Sequence, residues 1–206
     1  MNKLKKIILS IFTILSVSAI AFGATEAYYS DTETSTGNTF TAGTLDLNLD
    51  GANTNVVKFN KTNLVPGNQP TGTFTLKNVG SVNGFVDLES VSVVSDENGC
   101  NDPETEAGDI TCGNPGAGEG ELAKELNFTL FVDYNGDGWF STGDKYVFNG
   151  LLSDFASVNL NEPLNAGNEL KLTGIVNYFA NANDNIAQGD SVEFDMTFEL
   201  GQTAAQ

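Results

Sequence analysis

Apolar and polar residues alternate along most of this chain. Across residues 44–50, Leu45, Leu47 and Leu49 fall on one face, and Asp46, Asn48 and Asp50 on the other. Near the C-terminus Val192, Phe194, Met196, Phe198 and Leu200 share a face opposite Glu193, Asp195, Thr197 and Glu199. A strict period of two marks a half-buried strand in an antiparallel sheet. Further strands are predicted at 56–60, 71–77, 84–94, 126–132, 145–148, 155–160 and 169–178, set apart by turn signals such as Pro66-Gly67, Asn149-Gly150 and Gly167. Helix is scarce, with short turns expected at 119–125 and 181–187. About nine strands with one apolar face each predict two packed sheets, an all-β sandwich. Residues 95–120, rich in Gly, Asp and Glu, are expected to form a long surface excursion.

The N-terminus breaks this pattern. Lys3, Lys5 and Lys6 precede an apolar run over 7–22, and Thr25 and Ala27 suit the −3 and −1 positions of a signal-peptidase site. Residues 1–27 are therefore predicted to be an export signal cut between Ala27 and Tyr28. Cleavage after Ala24 is the second choice, and an uncleaved anchor the alternative. Loss of residues 1–27 would remove three of the 9 Lys and one of the 27 acidic residues, leaving a net charge near −20 with no Arg or His. That balance argues against nucleic acid or anionic membrane as a partner. It also opposes self-association unless cations bind or salt screens the charge. The absence of His removes the usual general base and the commonest metal ligand, and no catalytic Ser/His/Asp set exists; the chain is read as not an enzyme.

Three groups of residues carry candidate chemistry. Cys100 and Cys112 are the sole cysteines. A disulfide between them, worth about 2–3 kcal/mol for so short a loop, is one reading, and two unpaired thiols the other. Residues 133–144 fit the twelve-position calcium loop D-x-[DN]-x-[DN]-G-x5-[DE]. Asp133, Asn135 and Asp137 would supply side-chain oxygens, Trp139 its carbonyl, Ser141 a hydroxyl or water, and Asp144 the closing carboxylate. Gly138 would take the positive φ of the sharp turn. The flanks read as strands, so a structural Ca2+ bridging a hairpin is expected rather than a sensor; an acidic turn that binds nothing is the alternative. Asp102, Glu104, Glu106 and Asp109 read either as a second cation site or as a solvated acidic loop, the latter preferred. Asn60 and Asn127 begin N-glycosylation sequons, and Asn127 falls in a predicted strand.

The junction Tyr29-Ser-Asp-Thr-Glu-Thr-Ser-Thr-Gly-Asn-Thr-Phe-Thr-Ala-Gly-Thr-Leu-Asp-Leu47 resembles the start of the mature region in the TasA/camelysin-like family, whose members carry SipW-type signals. Similarity continues at 63–67, 74–81 and 187–202, while roughly 95–150 is this chain's own. The resemblance implies a jelly-roll, and a secreted subunit of a biofilm matrix fibre or bundling pilus. It further implies that the freed N-terminal segment, within 28–43, inserts as a donor strand into the next copy. Tyr28, Tyr29, Ser30, Asp31, Thr32, Glu33, Thr34 and Phe40 would carry that contact, with Gly43 as hinge. The implied partners are copies of the chain, signal peptidase during export, and accessory or bundling subunits. Two rival readings stand beside it. One is a monomeric calcium-stabilised surface or adhesion module whose N-terminus folds back on residues 44–206. The other is a metalloprotease, as camelysin relatives are classed.

Overall fold

A computed structural model describes residues 3–23, 41–53, 56–180 and 184–204. The chain divides into two units, Met1–Thr41 and Ala42–Gln206. In the first, Lys3–Gly23 form helix α1. No helix among the described residues is long and apolar enough to cross a membrane. The expected cleavage point between Ala27 and Tyr28, and the donor residues Tyr28 to Phe40, lie outside the described residues.

The second unit is mainly β, two antiparallel sheets packed as a sandwich. One sheet has the order β1 (Leu47–Leu49), β2 (Thr71–Asn78), β8 (Glu169–Tyr178), β5 (Leu126–Val132), β6 (Lys145–Leu151). The other is built on β3 (Gly84–Glu97). Along one side β3 pairs with β9 (Ser191–Gly201), from Phe85↔Gly201 to Asp96↔Ser191. Its other side is shared by β7 (Val158–Leu164), which pairs near Gly84, and β4 (Gly116–Ala117), which pairs at Asp96 and Glu97. Short helix α2 (Asp102–Ala107) lies between β3 and β4 of one sheet, and α3 (Leu122–Glu125) leads from β4 into β5 of the other.

The alternation in sequence becomes the core. Leu76 of β2, Leu172 and Val176 of β8, and Phe128, Leu130 and Val132 of β5 are buried with Val86, Leu88, Leu160 and Leu164 of the opposing sheet. Phe128 is fully buried, within 6.4 Å (ring centroids) of Phe59, Phe148, Phe155 and Phe194. Bounds of β5 and β8 agree with the sequence reading, whereas β6 runs three residues beyond Phe148.

Three expectations need correction. Residues 56–60 form no strand. Gly72 and Gly174 are register partners on β2 and β8, and the missing side chains leave a notch that the Phe59 ring fills. A Cβ on Gly174 would lie 3.0 Å from ring atoms of Phe59 and Phe128. The segment is therefore held by one inserted ring rather than by a ladder. The strand expected at 155–160 instead begins at Val158, because Leu152–Asp154 form a 3-10 turn that buries Leu152 and Phe155 first. Residues 95–120 are not a plain surface excursion: Ser95 and Glu97 belong to β3 and are buried, and α2 and β4 follow.

The notch makes a test of sign. Gly→Ala in a strand ordinarily stabilises, because glycine is the weaker strand former. Here Gly174→Ala is expected to cost about 1–3 kcal/mol, as overpacking does. Urea unfolding measures it, and a gain in stability would show that the ring does not occupy the notch.

Candidate metal centres

The 133–144 loop joins β5 to β6, as the flanking alternation requires. Asp133 is buried beneath it. Its Oδ1 accepts from the Gly136 amide at 2.7 Å, and its Oδ2 from the Gly138 amide at 2.9 Å and the Thr173 hydroxyl of β8 at 3.0 Å. Asn135 Oδ1 accepts from the Asp137 amide and Asp137 Oδ1 from the Trp139 amide, so successive side chains fold the backbone around themselves. Gly138 has φ +81°, the left-handed turn expected at that position. Asp144 Oδ2 accepts from the Ser141 amide and hydroxyl, and Oδ1 from the Tyr134 amide across the loop. Desolvation pushes the Asp144 carboxyl up, yet those donors together hold it below the ordinary range. Phe140 stacks on Tyr146 at 3.7 Å and meets Phe131 edge-on at 5.6 Å, which lays the loop against the outer face of the sheet. Trp139 is exposed, and Asn135 Nδ2 donates to Ser141 Oγ and Asp137 Oδ2. The loop thus gathers all six expected residues into one hydrogen-bonded turn.

Among the described residues, the groups of three ligand-type side chains whose ligand atoms lie within 4.8 Å of one another fall elsewhere. They are Glu104, Asp109 and Cys112; Glu97, Asp109 and Glu121; and Glu97, Glu104 and Asp190. Cys100 and Cys112 form a disulfide with Cα atoms 4.5 Å apart, which settles the choice left open by the sequence and takes the Cys112 sulfur out of thiolate chemistry. What remains is five carboxylates. Glu97 ends β3, Glu104 lies in α2, Asp109 follows it, Glu121 precedes α3 and Asp190 precedes β9.

Local structure holds each one. Asn101 caps α2 through a reciprocal box: Asn101 Oδ1 accepts from the Glu104 amide at 3.0 Å, and Glu104 Oε2 from the Asn101 amide at 2.8 Å. Gly108 closes the helix in the left-handed conformation. Asp109 Oδ1 accepts from the Thr111 amide and hydroxyl, Glu97 Oε1 from the Gly99 amide, and Asp190 Oδ2 from the Glu121 and Leu122 amides. Glu104 is fully buried, and Glu97 and Glu121 are 3% and 8% exposed. Burial first, then neighbouring carboxylates, raise the Glu104 and Glu121 carboxyls and push Asp190 up to about 6. Burial also pushes Asp109 up, but its Thr111 and Cys112 donors leave it below the usual range. Buried acidic groups of this kind can hold a metal ion.

Of the four acidic residues weighed in the sequence as one group, Asp102 and Glu106 are exposed, so they divide between solvent and interior. Glu97, Glu121 and Asp190 had not been singled out. The Asn101-x-x-Glu104 box with Pro103 and a closing Gly108 was a legible signal for α2. Gly43, expected as a hinge, is closely packed: a Cβ there would lie 2.2 Å from Val82 Cγ1.

A two-sheet antiparallel sandwich bearing carboxylate-rich candidate metal centres and one disulfide is the class of protein that these features define. The sequence profile of the camelysin metallo-endopeptidase family matches residues 3–112, slightly more than half of the chain, and the chain belongs to that family. No curated protein matches it significantly. The family match takes in α1 to Cys112; the similarity read at 187–202 and the 133–144 loop fall outside it.

Asp133 is expected to matter without any metal. Asp133→Ala would strand the Gly136 and Gly138 amides and leave the Thr173 hydroxyl with Thr73 as its partner, at a cost of about 2–4 kcal/mol. Chemical denaturation in excess chelator measures this, with Asp133→Asn expected to lose less.

Proposed function

We propose that this chain is a secreted structural subunit that polymerises by donor-strand exchange into extracellular filaments, the sandwich being a jelly-roll completed by a neighbour's strand. The observation that carries the reading is the free edge of β9. Among the described residues β9 pairs only with β3, so one side of an 11-residue strand has no ladder. Its apolar face is only half buried, and Phe74, Val192, Phe194, Met196 and Phe198 line a groove of about 280 Å³ bounded by residues 56–64. An unpaired edge beside an apolar groove takes an extended segment through main-chain hydrogen bonds, with alternate side chains entering the groove. Residues 28–41 suit the part: 14 residues with five Thr and three aromatics, long enough to run beside β9. Supplied head-to-tail, they give an open chain of subunits. The disulfide agrees with export, since such bonds persist in oxidising compartments. Signal peptidase is the transient partner at the cut after Ala27, and copies of the chain are the lasting ones.

The family's name denotes a metallo-endopeptidase. In this chain imidazole is absent and both cysteines are oxidised, so carboxylates are the remaining strong metal ligands. Zinc proteases rely on nitrogen ligands around an open position, and the donor set here fits a hard structural cation better. Calcium in the 133–144 loop, held by Asp133, Asn135, Asp137, Trp139, Ser141 and Asp144, would lock the β5–β6 hairpin.

Two measurements test these readings. Deleting residues 28–41 is expected to leave a folded sandwich that forms no filaments under the electron microscope, with the added peptide restoring stability and capping growth. Normal filaments from the truncated chain would overturn donor-strand exchange. A merely destabilised monomer, with no fibres from wild type either, would favour the fold-back module. Casein cleavage lost on mutating one of this chain's carboxylates would favour the protease. For the loop, Tb3+ is expected to show emission sensitised by Trp139, abolished in Asp137→Ala; wild-type protein without that emission would sink the loop site.

A further inference from the structure

We propose that Glu97, Glu104, Asp109, Glu121 and Asp190 hold a Ca2+ ion that clamps the disulfide-closed excursion to the end of the β3–β9 ladder. This site is separate from the 133–144 loop, and it does not depend on filament formation.

Hydrogen bonding is incomplete throughout the cluster. In four of the carboxylates one oxygen is engaged by a backbone donor, and Glu121 Oε1 shares the Thr111 hydroxyl with Asp109, while the other oxygen of each is buried with no hydrogen-bond partner: Glu97 Oε2, Glu104 Oε1, Asp109 Oδ2, Glu121 Oε2 and Asp190 Oδ1. Glu97, Glu104 and Glu121 are themselves more than nine-tenths buried. Buried polar atoms are nearly always satisfied, and an unpartnered carboxylate oxygen is among the most expensive to leave. The five form two groups of three that share Glu97 (Glu97, Asp109 and Glu121; Glu97, Glu104 and Asp190), a preformed set of hard ligands.

The charge of the cluster is also unbalanced. Asp96 and Ser191 are the last pair of the β3–β9 register, so Glu97 and Asp190 follow one step beyond, acid facing acid. Like charges opposite one another destabilise a strand pair. Among the described residues, the ion pair at this cluster is Lys124 to Glu121 at 3.9 Å, and the Lys124 side chain is mostly exposed. One peripheral ammonium does not neutralise five carboxylates. A divalent cation among them offsets both the repulsion and the desolvation.

Ligand chemistry selects the ion. All donors are carboxylate oxygens, with no imidazole and no free thiolate, which favours hard cations over zinc or copper. Mg2+ keeps most of its water and uses one or two carboxylates, whereas Ca2+ accepts six to eight oxygens in flexible geometry. Five side chains from separate segments suit Ca2+. Bound there, it would join β3, α2, the approach to α3 and the turn before β9. Asn101 and Asn98 already hydrogen-bond that turn at Gln188 and Gly189.

The test uses the purified chain, stripped with chelator and titrated with CaCl2, as wild type, Asp137→Ala (silencing the hairpin loop) and Glu104→Gln. In Asp137→Ala, millimolar Ca2+ is still expected to raise the melting temperature. Adding Glu104→Gln to it should weaken the remaining affinity at least tenfold. In chelator, Glu104→Gln alone should melt no lower than wild type, because it removes one of five mutually repelling charges. No calcium-dependent shift in a folded Asp137→Ala chain would overturn the site, as would a Glu104→Gln loss of equal size with chelator and with Ca2+. Should Asp137→Ala not fold, Glu-specific proteolysis decides: Ca2+ should slow cleavage at Glu106 and Glu119 in wild type and not in Glu104→Gln. Equal cleavage rates with and without Ca2+ would also overturn the site. Loss of Tb3+ emission bears on the hairpin loop alone, so the two sites fail separately.

Discussion

The pairing of β3 with β9 is the contact on which the rest of the sandwich depends. It is the longest ladder among the described residues, from Phe85↔Gly201 to Asp96↔Ser191, and it is uneven, with a register shift between Leu88 and Ser90. On its other side the same strand, 14 residues long, serves two partners, β7 at the start and β4 at the end. Asp87 is buried where the β7 register breaks, and its Oδ1 accepts from the Asn161 amide, which repairs the interruption. One step beyond the end of the ladder Glu97 and Asp190 face one another. Along its length the ladder presents the half-buried apolar face of β9. The candidate metal cluster and the groove are thus two consequences of one pairing.

How far the fold was legible follows from which interactions are local. Period-two alternation needs only a dozen consecutive residues, so β5, β8 and β9 could be read within a residue or so. Residues 56–60 alternate equally well, but Phe59 answers to two glycines on distant strands, and nothing local announces that. The 133–144 loop is a contiguous motif, and its hydrogen bonds follow its spacing. The five-carboxylate cluster is assembled from positions 97 to 190, each within a polar stretch that looks solvated by itself. Burial of Glu104 comes from packing against the turn before β9, a fact of tertiary structure. A local clue did exist, since the Asn101–Glu104 capping box orients that carboxylate from sequence alone.

Family membership and individuality divide along the chain. The family match runs from Lys3 to Cys112, which includes Glu97, Glu104, Asp109 and both disulfide partners. Glu121, Asp190 and the hairpin loop lie beyond it. The cluster therefore draws its carboxylates from both parts, and the disulfide lies near the point where they meet. A bond of this span limits the excursion's freedom in the unfolded chain. It leaves the direction in which α2 packs to the capping box and to the Asn98 and Asn101 side chains.

The outward face of β9 carries Glu193, Asp195, Thr197 and Glu199, all exposed. Suppose two copies met edge to edge at β9 about a two-fold axis. An antiparallel strand pair of that symmetry sets Asp195 and its neighbours against the same residues of the other copy, acid against acid. Charged side chains on an exposed edge are a common defence against indiscriminate strand pairing. The edge of β9 is thus guarded against its own likeness, and an approaching strand must differ from it in charge pattern to be accepted.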